Sequence, residues 1–531
     1  MAGRKVLGWL KWTAVVLTAA ALTFFVIRIY DVQRGPALEV WHTYVPRELD
    51  VAEIDRADWK GYIAAEARIF DDVRREVSQK LTPGERAPIN RYFEGSPVYP
   101  PHFSQDFNRS FVLEPDGAPR GVVVLLHGLT DSPYSQRHIA RVYRDRGFVA
   151  LVIRMPGHGT VPAGLTAATW EDWLAATRLA VREARQRVPA PAPLYLVGFS
   201  NGGALALKYS LDALANPELA QADQIVLLSP MIGITRFARF AGLAGLPAIF
   251  PAFAKAAWLG ILPEFNPFKY NSFPVNGARE SFRLTQILQQ QILDIRRSGR
   301  LGALPPVLTF QSVMDFTVST PAIISGLYAQ LPPNGSELVL FDLNRTVKFG
   351  PLLRPSADTA LNRLLPPGLR SYRITVVTNT AETSSEVEER SIDAGGLNER
   401  RRPLGLSYPP GVYSLSHVAL PFPMDDALYG MIPNETESFG PNLGALAPRG
   451  ERNVLITSLD ALLRVASNPF FPYLVQRIQD GIDHPASPPA KAGTMPAGLE
   501  SKSGVEPSLK DAAPVLSGSK STMDDPSDLP P

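Results

Sequence analysis

Residues 194–207 read LYLVGFSNGGALAL and change character halfway along. The first half is an apolar run typical of a buried strand, whereas the Ala- and Leu-rich second half favours a helix. Ser200 stands at the junction, with Gly198 and Gly202 on either side. Because glycine has no Cβ, the chain can turn sharply here and hold Ser200 in a strained conformation with its hydroxyl lifted clear. The pattern predicts a nucleophilic serine, with an ordinary surface turn as the alternative.

An earlier stretch, GVVVLLHGLTDSP at 121–133, supplies the second part of such a site. Residues 122–126 form a continuous apolar run of the kind that parallel strands show when they are buried on both faces. The backbone N–H groups of Leu129 and Asn201 are predicted to form an oxyanion hole. His127 ends the strand and is predicted to be a buried structural histidine rather than a base.

Three motifs, HGLTDSP, RMPGHGT and VGFSNGGALAL, occur in this order between residues 127 and 207. Together they resemble the branch of the α/β hydrolases that contains monoacylglycerol lipases, small bacterial carboxylesterases and serine aminopeptidase-like hydrolases. The resemblance covers roughly residues 110–230. It implies an α/β fold with a mostly parallel central sheet flanked by helices, a helical cap, and a catalytic triad in the chain order Ser, Asp, His.

In this family the acid follows the strand that comes after the cap. The stretch PPVLTFQSVMDFTVS at 305–319 contains a short apolar strand, and Asp315 lies in the loop beyond it. The ending from Asp315 to Val318 is similar to the acid loop of the family. Asp342, at the end of ELVLFD, is the alternative acid.

The base is found by elimination, because the resemblance places the histidine last in the chain. Of seven histidines, His417 and His484 follow Asp315. His484 lies in a Pro-, Ala- and Ser-rich segment that is too poor in apolar residues to be held in a core. His417 lies between a Tyr- and Leu-bearing segment and an apolar one, and is therefore predicted to be the base.

The spacing of these motifs suggests the domain organisation. Residues 31–110 are predicted to form a helical region and the opening strands, and 111–480 the hydrolase domain with a cap at about 231–303. Residues 336–344 can serve as the last core strand, which leaves 345–410 as an insertion near the active-site rim before His417. Residues 481–531 are predicted to be a disordered tail. The cap segment is rich in aromatic residues: Phe237, Phe240, Phe250, Phe253, Trp258, Phe265, Phe268, Tyr270 and Phe273.

The first 30 residues carry an apolar run with no charge between residues 12 and 27. Counted from Val6 and interrupted only by Lys11, the run reaches the roughly 20 residues that a bilayer requires. It predicts an uncleaved single-pass membrane anchor with a cytoplasmic N-terminus and an extracytoplasmic catalytic domain, periplasmic if the protein is bacterial. A cleaved signal peptide is the alternative, although LTFFVI does not suit the mature side of a cleavage site.

The composition narrows the function classes. The net charge of +2 over 531 residues implies no polyanionic partner such as nucleic acid. With no cysteine in the chain, disulfides, thiolate metal sites and a cysteine nucleophile are excluded. Neither a phosphate-binding loop nor a histidine and carboxylate spacing typical of zinc occurs, so no cofactor and no metal are expected. The oligomeric state stays open.

The sequence therefore favours a membrane-anchored serine hydrolase that cleaves carboxylic, acyl or lipid-like esters through an acyl-enzyme. Two alternatives remain: a non-catalytic, membrane-tethered interaction protein on a hydrolase scaffold, and a serine aminopeptidase. The aminopeptidase branch grips a substrate ammonium with carboxylates in the cap. Glu264 is the one acidic residue between 231 and 274, which favours an ester substrate.

Overall fold

The computed structural model describes residues 2–233, 251–346, 353–446 and 464–485. The chain divides into two units, Met1–Pro489 and Ala490–Pro531. The second unit and the predicted tail from residue 486 onward lie outside the described residues, as do the predicted cap aromatics Phe237, Phe240 and Phe250.

Ten strands form one sheet, as the apolar runs and the resemblance predict. The described strands, numbered β1 to β12 in chain order, are Phe111–Leu113, Gly121–Leu126, Phe148–Ile153, Leu194–Phe199, Gln224–Leu228, Trp258–Gly260, Phe273–Pro274, Val307–Ser312, Glu337–Phe341, Arg373–Asn379, Glu386–Ile392 and Arg400–Ser407. The order in the large sheet is β1-β3-β2-β4-β5-β8-β9-β10-β11-β12, while β6 and β7 pair separately. From β3 to β10 all neighbours are parallel, and β1, β11 and β12 are antiparallel to their neighbours.

Helices cover both faces of this sheet. The described helices, α1 to α12, are Ala2–Arg34, Val40–Thr43, Val51–Arg56, Trp59–Glu76, Arg137–Asp145, Trp170–Arg187, Asn201–Ala215, Val275–Arg297, Thr320–Gly326, Pro355–Asp358, Ala360–Leu364 and Phe471–Asp483. Side chains of α6, α7 and α8 share one core, and those of α5 and α12 share the other. The predicted α/β-hydrolase architecture, a mostly parallel sheet between helical layers, is confirmed.

The alternation of side chains along each strand explains why the central strands are apolar throughout. In β2, Val122, Val124 and Leu126 enter the core under α6 and α7, whereas Val123 and Leu125 enter the core under α5. Successive side chains of a strand point to opposite faces, so a strand covered on both faces has no polar positions. Each of these five side chains is fully buried.

The interpretation of 345–410 as a rim insertion is wrong. Strand β10 pairs in parallel with β9, and β11 and β12 continue the sheet beyond it, so residues 336–344 do not hold the last strand. The reason is that β10 is buried on both faces, with Ile374 in one core and Val377 in the other. The exposed β12, sequence RRRPLGLS, then ends the sheet with arginines and a proline, which discourage further strand pairing.

The segment predicted as a cap is divided between two roles. Helix α8 packs against α7 and buries Leu284, Leu288 and Ile292 in the core, so it belongs to a layer of the fold. The part from residue 251 to 274 carries β6 and β7 and reaches the active-site edge of the sheet. Residues 234–250 of the predicted cap lie outside the described residues.

The N-terminal region contains helix α4, which packs on the hydrolase domain, and helix α1, which covers the predicted anchor. Helix α4 packs on the hydrolase, where Tyr62 donates a hydrogen bond to the Arg154 carbonyl over 2.6 Å and Glu66 lies 3.2 Å from the Arg154 guanidinium. Helix α1 spans the predicted anchor. Within the residues that the structure describes, we find no helix with the length and apolarity needed to cross a membrane. This finding does not support the expected membrane-spanning anchor. The extracytoplasmic location stays a prediction.

A buried carboxylate fixes the segment that follows His417. Asp426 accepts hydrogen bonds from Tyr134 at 2.9 Å, Arg137 at 2.7 Å and His138 at 2.8 Å. Its side chain is fully buried, and that of Arg137 is nearly so. Although burial opposes ionisation, the bonds from His138 and Arg137 hold the pKa of Asp426 well below its usual range. The ion pair thus ties residues 417–439 to α5.

We expect Asp426→Asn to lower the free energy of unfolding by about 3 kcal/mol, because it removes the charge that compensates the buried Arg137 guanidinium. Asp425→Asn is the matched control, since this neighbouring side chain is exposed and should change stability by less than about 0.5 kcal/mol. Denaturant unfolding of both variants measures the difference. Equal stability of the two variants would show that the buried pair does not hold this segment.

Candidate active site

Ser200 has the strained backbone that the elbow pattern predicts. It lies between β4 and α7 with φ 54° and ψ −114°, and it is 5% exposed. Its N–H donates to the Leu228 carbonyl over 3.0 Å, and its carbonyl accepts from the Met231 N–H over 2.9 Å. These two bonds to the end of β5 hold a conformation that costs a side-chain-bearing residue about 1–3 kcal/mol.

The two flanking glycines are required by close packing. A Cβ on Gly202 would lie 2.1 Å from the Leu126 carbonyl oxygen, and one on Gly198 would lie 2.4 Å from the Gly202 carbonyl oxygen. Neither distance is possible for a real Cβ, so any other residue would push α7 away from β2 and β4. The glycines therefore let the helix start directly above the sheet and set the position of Ser200.

The loop after β2 lies against this elbow. A Cβ on Gly128 would be 3.3 Å from the Ser200 Cβ, which places the loop in contact with the serine. Thr130 in the same loop has φ 62°. Neither Leu129 nor Asn201 has a hydrogen-bond acceptor for its backbone N–H among the described residues. The structure thus leaves the two predicted oxyanion donors unpaired on segments that meet at Ser200.

His127 supports this loop. Its Nε2 accepts from the Met155 N–H over 3.0 Å, so Nδ1 carries the proton and donates to the Gly128 carbonyl over 2.9 Å. Burial lowers the pKa of His127 to about 4, although the Gly128 carbonyl acts in the opposite direction. The imidazole is neutral and both nitrogens are bound to backbone, which leaves it a structural role as predicted.

The structure brings the predicted acid and base together. His417 Nδ1 lies 2.9 Å from Asp315 Oδ2, and the histidine is 4% exposed. The other Asp315 oxygen accepts from the backbone N–H of Thr317 at 2.7 Å and Val318 at 3.0 Å. Burial alone would raise the pKa of Asp315, but His417 and these amides outweigh it and the pKa is lowered. An ionised Asp315 fixes the Nδ1–H tautomer and leaves His417 Nε2 able to accept a proton.

The alternative acid is engaged elsewhere. Asp342 pairs with the Arg345 guanidinium at 2.5 Å and accepts from the Thr378 hydroxyl at 2.9 Å. It makes no hydrogen bond to His417. Thr378 lies in β10 and Arg345 is bonded to the end of that strand, so Asp342 contacts the extension of the sheet and not Ser200 or His417.

The His417 ring stacks on Phe199, with centroids 5.2 Å apart and the planes at 30°. Phe199 precedes Ser200, so the acid and base pair lies beside the elbow. No hydrogen bond joins the Ser200 hydroxyl to His417 in this structure, although both side chains are described. Catalytic hydrogen bonds of this kind often tighten only in the Michaelis complex.

A cavity of about 210 Å³ opens beside this pair. Its apolar wall includes Phe199, Phe265, Val418 and Phe422. Of the described cap aromatics, Phe265 alone lines this cavity, whereas Phe268 stacks on Tyr134. Tyr270 and Trp258 also pack inward. The Tyr270 hydroxyl accepts a hydrogen bond from the Thr160 N–H over 2.8 Å, and the Trp258 ring packs against the ring of His42. Most of the described cap rings therefore pack on the fold.

Three charged residues of this cavity, Asp131, Lys269 and Arg464, were not assigned a role from the sequence. Asp131 stands inside the HGLTDSP motif and Lys269 lies among the cap aromatics, yet both line the cavity. A single lysine between asparagines and aromatic residues gives no recognisable signal; only the fold brings it to Ser200. A larger cavity of about 620 Å³ lies over β10 and β11, and it includes none of the predicted site residues except the rejected Asp342. Among the described residues, no group of three His, Asp or Glu side chains is arranged to hold a metal.

Comparison with known proteins agrees with this architecture. The family model described as serine aminopeptidase, S33 matches residues 117–262. A thermostable monoacylglycerol lipase from Bacillus sp. (strain H-257) is 33% identical over 92 residues, which are 17% of this chain and 35% of the lipase. The match thus spans about a third of the length of that relative.

Two solved structures of lipolytic enzymes align with part of this chain. A metagenome-derived lipolytic enzyme is 23% identical with a TM-score of 0.35, over 45% of this chain and 88% of its own. A soluble variant of the monoglyceride lipase of Saccharomyces cerevisiae is 15% identical with a TM-score of 0.34, over 44% of this chain and 81% of its own.

Proposed function

We propose that this chain, which has the α/β-hydrolase fold, is a serine hydrolase that cleaves carboxylic esters through an acyl-enzyme. The observation that carries the proposal is the pairing of His417 with Asp315 at 2.9 Å beside a serine in a strained turn. Such strain persists only where the surrounding structure holds it, and it concentrates at functional sites. In this protein the bonds from β5 and the glycine packing do so.

In the proposed mechanism, Ser200 Oγ attacks the ester carbonyl while His417 Nε2 takes its proton. The backbone N–H groups of Leu129 and Asn201 stabilise the oxyanion, each contributing about 3 kcal/mol in the transition state. His417 then gives this proton to the leaving alcohol. In the second half of the reaction, His417 takes a proton from the water that attacks the acyl-enzyme, and it returns this proton to Ser200 Oγ as the acid product leaves. Asp315 stays ionised and holds the imidazolium.

An ester is favoured over a peptide with a free amino terminus. The Glu264 carboxylate, which could have gripped a substrate ammonium, accepts instead from the backbone N–H of Asn271 at 3.0 Å and Ser272 at 2.7 Å. It is 1% exposed. Asp131 is the one carboxylate of the described cavity lining, and the positive charge of its neighbour Lys269 disfavours binding of a substrate ammonium.

Reaction with a fluorophosphonate separates the enzyme from the non-catalytic scaffold. These probes modify serines that an adjacent base activates. We expect stoichiometric modification of Ser200, identified by mass spectrometry of the labelled peptide. A folded protein that stays unlabelled would favour the interaction protein.

The apolar wall of the cavity predicts a dependence on acyl length. Each buried methylene contributes about 0.8 kcal/mol, so kcat/KM should rise by up to about fourfold per methylene until the cavity is full. We expect the value for p-nitrophenyl esters to increase from acetate through butyrate to hexanoate. A maximum at acetate with a steady decline beyond it would contradict an acyl pocket formed by Phe265 and Phe422.

A further inference from the structure

Part of the lining of the 210 Å³ cavity is polar, and a backbone hydrogen bond ties it to the loop after β2 that carries Leu129. The Tyr270 N–H donates to the Thr130 carbonyl over 2.8 Å, which fixes the preceding residue, Lys269, beside that loop. The same cavity is lined by Phe199 and Val418, the chain neighbours of Ser200 and His417. A group bound at Lys269 would therefore lie next to the ester that Ser200 attacks.

Several hydrogen-bond donors of this polar lining have no acceptor among the described residues. Among the described residues, the Lys269 ammonium makes no hydrogen bond and no ion pair, and Asp131 acts on it as a nearby charge. The Asn271 amide uses its oxygen to accept the Asn266 N–H at 3.2 Å, and its NH₂ group has no described acceptor. Tyr429 accepts from the Asn266 amide at 2.7 Å, which leaves its own hydroxyl hydrogen unused. Lys269 and Asn271 are partly exposed, so their donors are open to a ligand that would supply the acceptors.

The charges point the same way. Lys269 and Arg464 are the cations of the cavity lining, against the single carboxylate of Asp131, so the described lining is positive. Burial lowers the pKa of Lys269, although Asp131 partly offsets it. Burial also raises the pKa of Asp131 to about 6. A single carboxylate cannot neutralise two cations in any case. An anionic ligand would compensate the excess positive charge.

We propose that this cavity binds an anionic oxygen group of the substrate, a carboxylate or a phosphate, with Lys269 as its ion-pair partner. The inference rests on the proposed esterase function and specifies its substrate class: esters that carry a negative charge close to the scissile bond. Asn271 and Tyr429 donate further hydrogen bonds to the same group, and the apolar wall contacts the carbon atoms between it and the ester.

Two pairs of substrates test the inference and separate the two sources of charge. The p-nitrophenyl monoester of glutaric acid and p-nitrophenyl pentanoate have equal chain length, and the first places a carboxylate on the acyl side. A monoacylglycerol phosphate and the corresponding monoacylglycerol place a phosphate on the alcohol side. We expect kcat/KM to favour the charged member of at least one pair by about tenfold or more.

Lys269→Met keeps the length of the side chain without its charge. We expect it to lower the ratio of kcat/KM for the charged ester to kcat/KM for the neutral ester by about tenfold, whereas Lys269→Arg should retain most of this ratio. Lys60→Met removes an equal charge from the exposed face of α4 and should leave the ratio unchanged. Fluorophosphonate labelling of Ser200 confirms that each variant is folded. An equal loss of ratio in Lys269→Met and Lys60→Met would show a long-range charge effect and overturn the site.

The rates of the wild-type protein on the four esters test the inference even where a variant fails to fold. Hydrolysis of the neutral esters without a preference for either charged partner overturns this inference and leaves the esterase function standing. Failure to hydrolyse any of the four esters, together with an unlabelled Ser200, overturns the esterase function and this inference with it. Preference for a charged member identifies the carboxylate or the phosphate as the ligand.

Discussion

Ser200→Ala is expected to lower kcat for ester hydrolysis by about 10⁴-fold or more while the protein stays folded. The loss follows because no other group at the elbow can form the acyl-enzyme. Folding should be retained since alanine and serine both carry a Cβ and tolerate φ 54° about equally, and the backbone bonds to Leu228 and Met231 do not involve the hydroxyl. Initial rates on p-nitrophenyl butyrate and thermal unfolding measure the two effects.

The chain offers a matched control for this substitution. Ser229 also has a positive φ, of 40°, is fully buried, and its hydroxyl has no partner among the described residues. It follows β5 as Ser200 follows β4, so Ser229→Ala removes the same atom from a comparable turn. Activity within a few-fold of wild type is expected. If Ser200→Ala turned over ester at the wild-type rate, Ser200 could not be the nucleophile.

The second large effect concerns the base and the acid. His417→Ala should cost about as much as loss of the serine, because the members of a triad act as a unit, whereas Asp315→Asn should leave a roughly 50-fold higher residual rate. Asparagine keeps the shape of the acid but can present its NH₂ group to Nδ1, which favours the wrong imidazole tautomer. Single-turnover and steady-state kinetics on p-nitrophenyl butyrate compare the two variants.

Asp342→Asn is the control for the acid, since Asp342 also follows an apolar strand but pairs with Arg345 and Thr378. We expect this variant to lose stability through the buried pair and to keep kcat, per labelled serine, within a few-fold of wild type. A greater loss of kcat in Asp342→Asn than in Asp315→Asn would mean that the acid is misassigned.

The sequence by itself determined the features that depend on contiguous residues. The continuous apolar runs of β2 and β4, the two glycines around Ser200 and the break at His127 are all local features of the chain. Their patterns therefore predict strand, turn and helix directly. The same holds for the strand character of 373–379, sequence RITVVTN, where five consecutive β-branched residues favour a strand. A local pattern shows that a segment is a buried strand, but it does not show which strand lies beside it.

The tertiary structure decided which distant residues meet. Asp315 and Asp342 follow similar strands, and only the crossing of the chain brings Asp315 to His417, 102 residues away. The placement of β10 beside β9 makes a predicted insertion part of the sheet. The hydrogen bond from Tyr270 to Thr130 brings Lys269 to the loop after β2, beside Ser200. The physical reason is that backbone conformation and burial depend on near neighbours in sequence, whereas hydrogen bonds and ion pairs between side chains depend on the order of strands and the paths of loops, which local patterns do not specify.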